Sequence, residues 1–401
     1  PLSNLRCKMI NTKTALTFLK GVVTKKSPMY VQFALAKGCN IKCLMCSVVE
    51  NRSHEKELTL SNIDVLAHNL DKMGVSMLIL TGGEPFLRKD LSEVVRIFKK
   101  HHIESRLQTN GLLVTEENLQ AVIDAGVSEV TISLDTLNIE KQDVINQKEG
   151  SYFDILRALA LFSKMFPIKG NMTGVNTVVS KSNIHEIPAL IDFVTQIGFY
   201  VSLIPAHLTD EETKHPDEDT SYLLRKGSEI MEITDTEHNA IDQAYEKIIQ
   251  MKRDGYHVHN SNRFLRESPD FLKFKKVHWK CSSPDLYFSI SPEGRFLPCV
   301  DLEIPMDIHM THPDFLKNYK EGNFIGAIKE KVAACPGCMY ACYPEIHYFC
   351  RDTSVFIERL FQGAKISRLT RKVMNFDEMV DLAEKIREQY QLKQKNTLVG
   401  K

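Results

Sequence analysis

The sequence predicts an α/β fold: a partial (β/α)6 barrel of TIM-like type, then a small cysteine-rich C-terminal domain and a helical tail. Three observations predict it. From residue 29 onward, short apolar runs alternate with amphipathic helical patterns, which implies right-handed βαβ units on a parallel sheet. Polar and glycine-bearing segments follow the ends of successive runs, where barrels of this kind collect functional groups. Six of the ten cysteines lie beyond residue 280, at the short spacings of metal ligands.

Length and composition set the frame. A chain of 401 residues exceeds one ordinary domain, and 43% hydrophobic content supports a substantial core. We divide it into an N-terminal extension (1–28), a barrel (29–208), a helical connector (209–275), a cysteine-rich unit (276–350) and a tail (351–401). Formal net charge is zero, so no global field recruits nucleic acid. No apolar run approaches the roughly 18 residues of a membrane span, and the start shows no secretory pattern. Ten cysteines in so long a chain read as metal ligands in a reducing, cytoplasmic setting rather than as disulfide staples.

The elements follow in order. Lys13 to Lys26 reads as a basic amphipathic helix with an apolar face of Leu16, Phe18, Leu19, Val22 and Val23. It either caps the barrel or lies on a membrane surface. Strands are expected at 30–36, 76–80, 105–108, 128–134, 172–179 and 199–204. Helices are expected near 60–74, 90–101, 116–125, 152–165 and 184–197, the first N-capped by Ser61 and the last by Ser182 or Asn183. Asp210-Glu211-Glu212 and Asp217-Glu218-Asp219 read as a solvated acidic loop. A helix at 236–254 precedes His257 and His259, a His-x-His pair without a nearby third ligand. Leu286–Ser291 and Arg295–Leu297 read as a hairpin about Pro292-Glu293-Gly294. In the tail, Phe356, Ile357, Leu360, Phe361, Ile366, Leu369 and Val373 lie among Arg359, Lys365, Arg368, Arg371 and Lys372. This is a helix packed on the barrel, or a basic face for an anionic or lipid partner. Lys393 to Lys401 are expected to be disordered, and Cys7 is expected to be a bystander.

The chain is organised around Cys39-x3-Cys43-x2-Cys46, directly after the first strand. Thiolates are soft ligands that select zinc, copper(I) or iron–sulfur centres. A closed structural site needs four ligands. Three thiolates on a four-iron cubane leave one iron open.

This spacing resembles the signature of the radical S-adenosylmethionine (radical SAM) superfamily. The resemblance implies a [4Fe–4S] cluster on Cys39, Cys43 and Cys46, whose open iron chelates S-adenosylmethionine (SAM). It implies reductive cleavage of SAM to a 5′-deoxyadenosyl radical, and the partial barrel is also that family's fold. Met45 stands where the family usually has an aromatic whose backbone contacts adenine. Thr81-Gly82-Gly83-Glu84-Pro85 resembles the family's GGEP loop, which implies that Gly82, Gly83 and Glu84 bind the SAM amino group. Gln108-Thr109-Asn110-Gly111 ends the third strand and offers Asn110. Ser133 ends the fourth, and the resemblance implies that it holds the SAM carboxylate. The basic residue that many relatives place nearby is missing here or is Lys148.

The second group is Cys281, Cys299, Cys335, Cys338, Cys342 and Cys350. C-x12-G-x4-C followed by C-x2-C resembles the SPASM or twitch extension of radical SAM enzymes. Six cysteines are too few for two further clusters, which implies one auxiliary [4Fe–4S] cluster on Cys281, Cys299, Cys335 and Cys338. Cys342 competes for the last position, and a zinc site on the same four thiols is the other reading. Cys342 and Cys350 are also candidate hydrogen-atom donors to a substrate radical.

The implied function is abstraction of hydrogen from an unactivated C–H of a small-molecule or lipid substrate. Oxidation, epimerisation, dehydration or C–C coupling would follow. A one-electron donor such as flavodoxin or ferredoxin would serve it, and a peripheral membrane contact is a further expectation. The extension before the barrel is too short for a leader-peptide-binding domain. A peptide- or protein-modifying enzyme is the alternative reading, and a non-enzymatic zinc or iron–sulfur module the remote one.

Overall fold

The computed structural model describes residues 12–48, 50, 55–170, 172–208 and 220–399, with side chains to residue 392. Cys7 and both acidic triplets, 210–212 and 217–219, lie outside the described residues. The chain begins with α1 (Thr12–Thr24) and then alternates. β1 (Tyr30–Ala36) leads to α2 (Leu60–Lys72), and β2 (Met77–Gly82) to α3 (Leu91–Lys100). β3 (Glu104–Thr109) leads to α4 (Glu116–Ala125). β4 (Glu129–Ser133) is followed by α5 (Ile139–Asn146) and α6 (Ser151–Met165), then β5 (Gly174–Val179), α7 (Ile187–Gln196) and β6 (Tyr200–Pro205). β7 (Ser221–Tyr222) precedes α8 (His238–Arg253) and α9 (Asn262–Phe274). The hairpin is β8 (Tyr287–Ile290) and β9 (Phe296–Leu297), followed by β10 (Leu302–Glu303). The rest is helical: α10 (Phe315–Glu321), α11 (Ile325–Ala334), α12 (Cys342–Arg351), α13 (Thr353–Ile366) and α14 (Phe376–Val399).

All six expected barrel strands form, parallel and in the order β6-β5-β4-β3-β2-β1. Strand alternation explains the two faces. Val31, Phe33 and Leu35 of β1 and Leu78 and Leu80 of β2 are fully buried beneath the helices. Their alternates Gln32, Arg106, Gln108, Thr131, Asn176 and Ser202 line the lumen. The sheet does not stop at six strands. β8 pairs in parallel with β1, Tyr30 opposite Tyr287 and Gln32 opposite Ser289, and β9 pairs antiparallel with β8. The cysteine-rich segment thus contributes two strands to the barrel's own sheet. No local pattern predicts this, because a hairpin's second partner is chosen by tertiary packing.

Several local expectations are corrected. Thr59, not Ser61, caps α2: its hydroxyl accepts from the Asn62 N–H (3.3 Å) in extended backbone, so the helix opens two residues earlier. Asn183 does not cap α7. Its amide donates to the carbonyls of Asp135 and Val178 (both 2.8 Å), clamping β4 to β5. His257 and His259, the pair without a nearby third ligand, sit in extended backbone. Their backbone pairs with Val201 beside β6, and the His257 ring stacks on Tyr200. Helix α14 runs on to Val399, through most of the stretch expected to be disordered. Gln391, Leu392, Lys393, Gln394 and Lys395 are all good helix formers and carry the helix forward.

The two amphipathic helices are also turned differently. α1 buries Thr14, Thr17 and Gly21 and leaves Leu16, Leu19 and Val23 60%, 59% and 70% exposed. Of its apolar face, Phe18 and Val22 are the residues that pack inward. Gly21 lies directly against Met29, so close approach through the small side of the helix sets the docking. In the tail, Arg359 turns inward to Glu345 and Arg371 to Thr173, while Leu360 and Phe361 face outward. Buried arginines need partners, and the barrel wall supplies them.

Candidate active site and cysteine centres

The loop after β1 carries Cys39, Cys43 and Cys46 at the C-terminal rim. All three are unbridged and partly buried. Burial pushes each thiol's pKa up, and Cys43 also feels the charge of Cys46 and Cys39. The loop is anchored from two sides. The Leu44 N–H donates to the Ile145 carbonyl (2.9 Å), and the Cys43 thiol to Asn146 Oδ1 (3.6 Å), both at the end of α5. Cys46 pairs with Arg225, and the Ser47 hydroxyl donates to the Leu223 carbonyl (2.7 Å).

Gly82 and Gly83 press against the base of that loop. The Gly83 and Glu84 N–H groups donate to the carbonyls of Ala36 and Gly38 (both 2.8 Å). A Cβ on Gly83 would stand 1.8 Å from the Gly38 carbonyl oxygen. Backbone cannot yield as a flexible side chain does. We therefore expect Gly83→Ala to cost roughly 1–3 kcal/mol or more and to lower both thermal midpoint and iron retention. Gly326→Ala, on a helix with nothing within 4 Å, should leave both unchanged or raise the midpoint. Equal midpoints for the two variants would refute the close approach.

Glu84 is fully buried and its carboxyl is fully engaged. The Thr109 hydroxyl (2.8 Å) and the N–H groups of Asn110 (2.8 Å) and Phe86 (3.0 Å) donate to it. It braces the glycine loop to the end of β3. Burial nevertheless pushes its pKa up to about 7. Between the ordinary carboxyl range and that value, the folded chain keeps a proton the unfolded chain has released. This group's contribution is therefore greatest in acid and fades as pH rises through 7, by about 3 kcal/mol. The thermal midpoint should fall more steeply from about pH 5 to about pH 8 in the wild type than in Glu84→Gln; parallel slopes would contradict this.

The other rim residues converge on the same place. The Asn110 side-chain amide donates to Asn40 Oδ1 (2.7 Å) and approaches the Cys39 sulfur (3.6 Å). Ser133 stands exposed at the end of β4, opposite Asn176. Met45 packs with Leu44 and Val178 against Leu208 and Met231. Lys148 is exposed beyond α5.

Below this rim lies a cavity of about 1050 Å³. It runs from Gly82 and Gly83 to Val300, Tyr340 and Cys342. Its wall includes the Arg106–Glu129 ion pair (3.0 Å) and Tyr200, whose hydroxyl is buried without a hydrogen-bond partner.

The second cysteine group sits at the opposite rim. Cys281 precedes β8 and Cys299 follows β9, so the hairpin returns both to one end. Because β8 runs parallel to β1, that end is the one away from the trio. Cys335 closes α11 and Cys338 lies three residues on. Burial, and then neighbouring thiols, raise three of them: Cys338 responds to Cys299, Cys281 and Cys335, Cys299 to Cys281, and Cys281 to Cys335. Cys342 lines the cavity, as Tyr30 does, and burial pushes its thiol pKa up to about 12. Cys350 is buried against the Met29 sulfur (3.4 Å), away from the cavity wall. The structure thus separates two thiols that are equivalent in sequence.

One short run touches both groups. The Tyr222 hydroxyl lies 3.7 Å from the Cys335 sulfur, and Arg225 pairs with Cys46. Arg225 also forms a buried ion pair with Asp301 (2.8 Å), two residues past Cys299. Neither residue carries a sequence motif, and only the β7–β10 pairing reveals them. Among the described residues, no three His, Cys, Asp or Glu side chains converge on one metal-ion position. Soft thiolates held in a trio and a quartet, beside backbone that only glycine permits, fit iron–sulfur clusters, whose ligands sit on separate irons.

Comparison with known proteins follows the same lines. Residues 34–194 match the family model of the radical SAM superfamily. A "Probable GTP 3′,8-cyclase" of Methanocaldococcus jannaschii is 30% identical over 187 residues, covering 46% of this chain and 61% of the relative. An "AdoMet-dependent heme synthase" of Methanosarcina barkeri is 29% identical over 179 residues, covering 44% and 50%. The match thus spans about half to three fifths of these relatives' length. Among solved structures, Streptococcus suis SuiB shares the fold with a TM-score of 0.56 at 15% identity, covering 82% of this chain and 75% of that one. The anSMEcpe structure with bound AdoMet and a Cp18Cys peptide does so with 0.54 at 14%, covering 89% and 99%.

Proposed function

We propose that this chain, whose residues 34–194 match the radical SAM superfamily model, uses a 5′-deoxyadenosyl radical to take hydrogen from a C–H bond of a substrate held in the barrel lumen. Cys39, Cys43 and Cys46 would hold the SAM-binding [4Fe–4S] cluster. Gly82, Gly83, Asn110 and Ser133 would receive SAM, with Met45 beside the adenine and Glu84 bracing the loop. Cys281, Cys299, Cys335 and Cys338 would hold one auxiliary [4Fe–4S] cluster. Bound there, reduced cluster and SAM supply the radical; the chain's own residues position the substrate and exclude water.

The observation that carries this reading is one cavity that reaches from the glycine loop beside the cysteine trio to Val300 and Tyr340 beside the quartet. Its wall is mostly apolar with a few amides and hydroxyls, which suits a small-molecule or lipid substrate oriented by a few polar contacts. GTP 3′,8-cyclases and heme synthases are, by name, small-molecule enzymes. A peptide substrate is the second reading, supported by the peptide-bound forms of SuiB and anSMEcpe. Among the described residues no helix is long and apolar enough to cross a membrane. A reducing, cytoplasmic compartment and a flavodoxin- or ferredoxin-like electron donor belong to the same proposal. The test is anaerobic reconstitution followed by reduction with SAM: about eight irons per chain and formation of 5′-deoxyadenosine are expected. Absence of both iron and deoxyadenosine would overturn it.

A further inference from the structure

We propose that the floor of the barrel docks on an anionic lipid bilayer, and that the cavity mouth there admits an amphiphile, polar end first. The proposal rests on the radical reading above for its chemistry and adds the substrate class and the route of entry.

The cavity opens at the end away from Cys39, Cys43 and Cys46. Its lining runs down to Glu129, Gly174 and Tyr200, the first residues of their strands, and on to Gly363 and Ser367, which are exposed. Helices frame this mouth. α1 supplies Phe18, α13 supplies Gln362 and Gly363, and Phe349 of α12 lies with them. The Phe18 and Phe349 rings meet edge-on at 6.0 Å between centroids, and Phe349 packs 5.3 Å from Phe356. α1, α12 and α13 thus form one wall.

Beside the mouth, the two outer helices of that wall turn apolar side chains to water. On α1 these are Leu16, Leu19 and Val23, and on α13 Ile357, Leu360 and Phe361, the last 73% exposed. Their spacing of three, four and seven residues makes each set a helical stripe. Apolar surface gathered around a cavity mouth marks a place where something else docks.

Charge says what docks. The whole chain is neutral. Yet residues 12–27 carry four lysines and no carboxylate, and residues 353–373 carry five lysines and arginines against Glu358 alone. Glu358 is paired with Lys252, while Arg359 and Arg371 turn inward. Lys20, Lys26, Arg368 and Lys372 stand exposed. An apolar stripe flanked by cations is how a helix lies in the interface of an anionic bilayer. A second copy of the chain would set these cations against their own kind.

Inside the mouth the wall becomes polar. It carries the Arg106–Glu129 pair, the Arg359–Glu345 pair (2.6 Å) and the unpartnered Tyr200 hydroxyl, 4% exposed. An amphiphile matches this order. Its polar end passes the belt toward the glycine loop, and its apolar end stays at the lip between α1 and α13.

The test uses reconstituted holoprotein without reductant. It is floated on a density gradient with vesicles of phosphatidylcholine alone, or of phosphatidylcholine with phosphatidylglycerol. The protein should float with the anionic vesicles and far less with the neutral ones. Lys20→Gln with Arg368→Gln should weaken anionic binding roughly 25-fold, at about five-fold per cation near the surface. Leu19→Glu with Phe361→Glu should abolish flotation at unchanged circular dichroism and iron content, since both positions are exposed. A phosphatidylglycerol bearing a diazirine in its acyl chain should cross-link to Phe18, Phe349 or Ile366 on the cavity wall. No flotation of the wild type, or equal flotation of the Leu19→Glu, Phe361→Glu variant, overturns the docking face. Cross-links confined to the outer stripes overturn entry. A dimer in light scattering that the same double variant dissolves, with no vesicle binding, gives the face to a second copy and overturns the proposal. Any of these failures, with deoxyadenosine still formed on reduction with SAM, leaves the radical reading intact. Flotation and wall cross-links without deoxyadenosine would remove that reading, and with it the substrate role of the amphiphile.

Discussion

Cys43→Ala is expected to form no 5′-deoxyadenosine above background when reduced anaerobically with SAM. Cys43 is the middle thiol of the trio and is held from two sides, by Asn146 at its sulfur and by Ile145 through the next residue's N–H. Alanine removes a soft anionic donor that no nearby side chain replaces, since Asn146 and Asp135 offer only oxygen. Two remaining thiolates cannot hold a cubane whose fourth iron must stay open. The variant should keep its fold, because the Leu44 and Cys46 backbone bonds that shape the loop do not involve the side chain. Chromatographic quantification of deoxyadenosine, beside circular dichroism, checks both halves. Substantial deoxyadenosine from a folded Cys43→Ala would remove the assignment.

Cys299→Ala should separate the two centres. It is expected to lose about four of about eight irons yet still cleave SAM, because the trio lies at the other rim of the barrel. The residue lies between the hairpin and β10, and the Leu302 N–H donates to its sulfur (3.2 Å). Its neighbours Cys281 and Cys338 would be left with a vacant corner. Iron and sulfide analysis, with deoxyadenosine measured on the same sample, decides. Retention of all the iron would move the ligand elsewhere, and the retained cluster would then have to rest on a set that excludes Cys299. Complete loss of SAM cleavage would mean that the two groups are not independent. In that case the Ser221–Arg225 run that touches both would be the first place to examine.

Much of the barrel was legible because its cues are local. The run Met77–Gly82 is apolar and short, the helix Leu91–Lys100 is periodic, and the loops at the C-terminal rim follow directly from strand ends. Gly82 and Gly83 were read as room for a ligand against the backbone; the structure shows that what stands against Gly83 is the chain's own Gly38 carbonyl. The orientation of α1 was not readable. Hydrophobic periodicity grouped Leu16, Leu19 and Val23 with Phe18 and Val22, yet packing selects the Thr and Gly side because Gly21 lets Met29 come close. The engagement of Glu84 was not readable either. Its three donors come from its own turn and from the end of β3, more than twenty residues on.

By itself the sequence determined the alternation of strand and helix, the trio at Cys39, Cys43 and Cys46, and the pairing of distant thiols through a hairpin, because each depends on spacing along the chain. Tertiary structure alone decided that this hairpin joins β1's edge, and that Cys342 lines the lumen while Cys350 is walled off. Those relations join residues some 250 to more than 300 positions apart, and only the free energy of the packed whole, not any local preference, brings such residues together.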